Sequence, residues 1–297
     1  MHPGFYVPIV IPMSTTGSID YASLDKHLCR LLANGARGIM LHRHLSELDT
    51  LYDHELSLLC RYIQAFCAER CPVIIDIGAD SLADTQKRLA YAIKHSISHI
   101  YLPIYPHMGE TDYAPYVIVE TISQQYRGKI LLGIDQDHSP LDFPILRKIT
   151  ALPNVVALAT NIQDQHMAWY LTRKLPGLSY LVHNNPHSVG GRIPHCQPII
   201  CNPLANIIPA SIEKVCRFMQ ANNPQAATHI LKPYKKLIGQ VDDSVDTYLL
   251  KTILHQQGVI SKRVGCRTTP MTPWIQRHIV KQLSTISTTK LLESTYA

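Results

Sequence analysis

The chain has no apolar run approaching the ~18 residues that a membrane helix needs, so no membrane span is expected. No run of Lys and Arg exceeds two residues, and aromatics make up only 7% of the chain. A nucleic-acid surface is therefore not expected despite a net charge of +6, which instead gives mild help to anionic small molecules. The opening MHPGFYVPIVIP lacks a basic region followed by a long apolar segment, so no leader is expected. Cysteines number eight, yet none forms a C-x-x-C pair and most sit in apolar contexts such as LCRLL and PIICN. Free thiols in a reducing cytoplasm follow, rather than a disulfide framework. Charged residues reach only 17% against 46% hydrophobic, which excludes disorder and supplies a sizeable core.

What is present is a rhythm. Short apolar runs recur with amphipathic stretches between them: Val7–Pro12, the GIML run at Gly38, and segments from Pro72, His99, Lys129, Asn154, Leu178 and Gln197. These are strand candidates of the kind buried on both faces. YASLDKHLCRLLANG places Leu24, Leu28, Leu31 and Leu32 on one helical face, with Gly35 as the expected C-terminal cap. Ser81 is the expected N-cap of SLADTQKRLAYAIKHS. Eight β/α units in about 225 residues predict an α/β fold, a TIM (β/α)8 barrel over residues 1–220. A C-terminal helical appendage over 221–297 follows, carrying AATHILKPYKKLIGQ and DTYLLKTILHQQG.

The sequence resembles the dihydrodipicolinate synthase / N-acetylneuraminate lyase family over nearly its whole length. PIVIPMSTTGSIDYASLDKHLCRLLANGARGIML is similar to that family's first strand, turn, helix and second strand. ELDTLYDHE, ALPNVVALA and GQVDDSVDTYLLKTILHQQGVI with GCRTTPMTP continue the match. The resemblance implies a Schiff base between a strand-six lysine and a 2-keto acid, a strand-five tyrosine relaying protons, and a G-T-T-G-E loop holding the carboxylate. Here the lysine position reads Ala159, with Thr160 beside it, and the tyrosine position reads Gly133 or Ile134. The loop reads Arg43-His44-Leu45-Ser46-Glu47, which keeps only the glutamate, and the strand-five arginine falls near His138. Tyr105 matches a tyrosine that reaches across a subunit interface in family tetramers, which implies a homodimer or homotetramer. An imine needs an amine, and Lys94, Lys129 and Lys174 are poorly placed to supply one, so lysine aldolase chemistry is not expected.

The strand ends form a polar rim instead. His42, Arg43, His44 and Glu47 follow strand two, Asp76 ends strand three, and Tyr105 and His107 follow strand four. Asp135, Asp137 and His138 follow strand five, and His183, Asn184 and Asn185 follow strand seven. One reading is a repurposed site for a small carboxylate or carbonyl compound. His44, Asp135 and His138 would do acid–base work, with Arg43, His42, Glu47, Asp76, Tyr105, Thr160, His183 and Asn184 lining the ligand. No cofactor is expected in that case. The alternatives are a non-catalytic relative that binds a ligand or protein partner, and a metal-dependent enzyme using His42, His44 and rim carboxylates. Asp76 could also simply satisfy Arg43.

Overall fold

The computed structural model describes residues 1–104, 114–134, 142–160, 165–175, 177–183, 199–234 and 247–261, with backbone alone at 160, 165–169, 181–183 and 248. Within them, parallel strands alternate with helices and close into a barrel. The order is β1 (Gly4–Pro8), α1 (Tyr21–Ala33), β2 (Gly38–Leu41), α2 (Asp53–Cys67), β3 (Val73–Asp76), α3 (Leu82–Lys94), β4 (His99–Ile104) and α4 (Ala114–Gln125). Then come β5 (Lys129–Ile134), α5 (Phe143–Thr150), β6 (Val155–Thr160), α6 (Gln165–Lys174), β7 (Ser179–His183) and β8 (Ile199–Cys201). After the barrel follow α7 (Pro209–Gln220), α8 (Pro224–Leu231) and α9 (Thr247–Gln256).

The barrel closes where β1 pairs with β8, Tyr6 standing opposite Cys201. Tyr6, Met40, Ile74, Leu131, Ala157, Ala159, Ile199 and Cys201 fill the lumen, so it is a packed core and not a pore. A second, larger core lies between the strands and the surrounding helices; Leu24, Leu28 and Leu31 belong to it and are fully buried. Leu32 is only partly buried against it.

The first strand differs from expectation. It runs over Gly4–Pro8 instead of Val7–Pro12. The cause is Asn206, in the short turn after β8. Its side-chain oxygen accepts from Val10 N at 3.1 Å and its amide donates to Pro8 O at 2.9 Å, taking the groups a longer ladder would use. The α1 cap is also shifted: Asn34 is the cap residue, and Gly35 lies one beyond it at φ +86°, where glycine is unstrained. Ser81 caps α3 as expected, accepting from Asp84 N at 3.0 Å.

Two buried histidines tie the fold to pH. His27 lies 3.0 Å from the same Asn206 oxygen, and burial pushes its imidazole down to about 3. His99, at the start of β4, is pushed down to about 4 by burial, Lys129 and the N-terminal ammonium. In both, the unfolded chain takes up a proton below about 6.5 and the folded chain does not. Their contribution is therefore intact above that pH and is lost as pH falls towards about 4. The loss approaches ~1.4 kcal/mol per pH unit for each histidine. Denaturant midpoints measured across this range should fall less steeply in His99→Gln than in wild type. Parallel profiles would show the assignment to be wrong.

Candidate functional site at the barrel mouth

The loop from β2 to α2 is built around Ser46. Its hydroxyl donates to Ile9 O at 2.7 Å and accepts from His42 N at 3.1 Å, which pins the loop to the end of β1. Glu47 follows at φ +52°, a left-handed conformation that is uncommon outside glycine and asparagine. Its carboxylate is fully buried and pairs with the equally buried ammonium of Lys251 on α9. Two charges out of water become tolerable when each neutralises the other. This pair gives Glu47 a structural task.

Arg43 turns outward. Its guanidinium meets Asp49 and Asp80, both at 2.6 Å, and Arg88 joins Asp49 and Gly78 O from α3. Burial alone would lower the Arg43 pKa, but its hydrogen bonds to Asp80 and Asp49 hold it above the ordinary range. The expected fork for a ligand carboxylate is thus committed within the protein. Asp76 does not pair with that guanidinium. It accepts from the backbone amides of Arg43 at 3.1 Å and Gly78 at 2.9 Å. Burial pushes its carboxyl up to about 6, although those amides and the nearby arginines pull the other way. The folded chain therefore holds this proton between about 4 and about 6, offsetting part of the histidine loss on acidification. His44 is exposed, and partial desolvation and Arg43 pull its pKa down, leaving a neutral imidazole at pH 7.

Inside the mouth, Gly133 of β5 pairs with Ala159 of β6. A Cβ on Gly133 would overlap the hydroxyl of Tyr101, which projects across from β4. The phenol thus lies on β5 where a side chain is missing. Tyr101 is in register with Asp76, and its ring centroid lies 6.5 Å from that of His42, which is 5.9 Å from that of His44. His42, Asp76, Tyr101 and Ala159 therefore share one end of the barrel, with His44 beside His42 at its edge, while Arg43 faces the loops that carry Asp49 and Asp80. Thr160 and His183 end β6 and β7 on the same rim, paired with Ile134 and Cys201. Tyr105, His107, Asp135, Asp137, His138, Asn184 and Asn185 lie outside the described residues. Among the described residues, no three His, Cys, Asp or Glu side chains converge as metal ligands. A cleft of about 540 Å³ lies elsewhere, outside the barrel between α2 and α3, lined by Ser57, Arg61, Tyr91, Lys94 and His95. Its lining residues do not reach the strand ends.

Two residues escaped the sequence reading. A glycine inside a buried strand signals close approach of another group, and Gly133 carried that signal for Tyr101. Lys251 stands in the apolar LLKTIL, where a lone lysine must find a buried partner.

No family model matches the chain. It is 22% identical over 275 residues to the 4-hydroxy-tetrahydrodipicolinate synthase of Shewanella piezotolerans, covering 87% of this chain and 89% of that one. A shorter match, 35% identical over 85 residues, joins 28% of the chain to 29% of the same enzyme from Pseudoalteromonas atlantica. Among solved structures, dihydrodipicolinate synthase from Acinetobacter baumannii complexed with pyruvate superposes with a TM-score of 0.82 at 20% identity, covering 96% of this chain and 99% of that one. The chain is thus similar to dihydrodipicolinate synthases in sequence over most of its length, and it has their fold.

Proposed function

We propose that this chain is a divergent relative of the dihydrodipicolinate synthases that binds a small carbonyl or carboxylate compound at its barrel mouth without forming a Schiff base. One observation carries this: a buried methyl, Ala159, stands on β6 where an amine would be needed. Lys251 does not replace it, because its ammonium is buried against Glu47. The remaining chemistry is acid–base. The neutral imidazole of His44, together with His42, Asp76 and Tyr101, suits proton transfer beside a carbonyl, with Asp135 and His138 proposed as partners in that step. A homodimer or homotetramer in a reducing cytoplasm accompanies this proposal.

A second reading, a barrel that binds without catalysing, is favoured by the internal pairing of Arg43 with Asp49 and Asp80. Both readings share one expected result. Incubation with pyruvate and borohydride should leave the intact mass unchanged, since no imine forms to be reduced. A covalent adduct mapped to any lysine would refute the proposal. The readings part on turnover: proton exchange at the methyl of bound pyruvate, slowed in His44→Ala, supports the catalytic one.

A further inference from the structure

α2 ends at Cys67, and β3 begins two residues after Cys71. Between them the chain turns back on itself. Glu69 adopts φ +58°, and Cys71 N donates to Cys67 O at 3.2 Å. That backbone bond closes the turn and sets the two cysteines, four residues apart, side by side. Cys67 is fully buried in the outer core, whereas Cys71 keeps partial access to solvent. Arg70 lies between them in sequence, its guanidinium 4.3 Å from the Phe66 ring centroid. We propose that Cys67 and Cys71 form a peroxide-sensitive thiol pair, with Cys71 attacking and Cys67 resolving.

The two sulfurs are unequal. The neighbouring Cys67 and the Arg70 charge pull the Cys71 pKa down, while the neighbouring Cys71 and burial push Cys67 up. Buried Cys60, Cys201 and Cys216 are pushed up to about 12 by desolvation, so they are poor nucleophiles. The Cys71 thiolate attacks one oxygen of a hydroperoxide, breaking the O–O bond to give a sulfenic acid. The departing oxygen leaves as an alcohol or water. The Cys67 sulfur then attacks the Cys71 sulfur. Its thiol proton and the sulfenic hydroxyl leave together as water. Two thiols are oxidised by two electrons, and one hydroperoxide is reduced. The pair lies at the start of β3, the end of the barrel opposite Asp76, where structural roles and not chemistry reside. Oxidation there would staple α2 to β3 without touching the mouth.

The test uses the full reduced chain and stoichiometric hydrogen peroxide. The intact mass should drop by two hydrogens, and a peptide map should join Cys67 to Cys71. In Cys67→Ser, and in Cys67→Ala should serine disturb the core, Cys71 should stop at a sulfenic acid captured by dimedone. Cys71→Ser should form no disulfide. A map joining other cysteines, a wild-type chain whose Cys67 and Cys71 stay reduced, or dimedone labelling absent from Cys71 in both Cys67 variants would overturn the proposal.

Discussion

Lys251→Met should lower the free energy of unfolding by about 3–5 kcal/mol, the scale on which a buried ion pair loses one partner. That is a large share of the ~5–15 kcal/mol by which domains are stable. The magnitude follows from burial. Both side chains are 0% exposed, so the Glu47 carboxylate loses the ammonium beside it at a place closed to solvent. Methionine matches the length of the lysine stem and leaves little cavity, which isolates the charge effect. Removing both charges in Glu47→Gln/Lys251→Met should recover most of the loss, because the stranded charge and not the missing bond dominates. Chemical denaturation of the single and double variants closes the cycle. A single variant within about 1 kcal/mol of wild type would mean that the pair is hydrated in solution.

Gly133→Ala should cost about 1–3 kcal/mol, the usual range for overpacking a filled core. An added methyl meets the hydroxyl and the Cζ and Cε2 atoms of Tyr101. The phenol must therefore move, or β5 must part from its neighbours. The same change made in a Tyr101→Ala background should be close to neutral, since the obstacle is gone. Equal penalties in the two backgrounds would place the phenol somewhere other than on Gly133. Because Tyr101 also borders His42 and Asp76, displacement of the ring should alter ligand binding along with stability.

The strands were legible because a buried parallel strand must be apolar on both faces. β2 began and ended where the apolar run GIML did, and β5 began at Lys129, where the run KILLGID did. The α3 cap was legible because Ser81 acts through atoms three residues away. The limits of β1 were not, since Asn206 lies almost two hundred residues downstream and a local pattern cannot contain it. The site shows the same divide. Ala159 was readable from its place at the end of an apolar run. The outward turn of Arg43 was not, because it depends on where the loops carrying Asp49 and Asp80 come to rest. Tyr101 was hidden because the stagger of the barrel, which sets the residues facing β5, is a property of the closed sheet.

Asn206 also imposes an order in time. The Pro8 carbonyl that it binds is 198 residues earlier in the chain, and the His27 ring is 179 residues earlier. At ~5–20 residues per second of synthesis, the first strand waits on the order of 10–40 s for the amide that completes it. Through that interval its end and the adjoining helix are exposed partners without a match. The nascent barrel is therefore most vulnerable at its beginning, and it is sealed by a turn made after all eight strands.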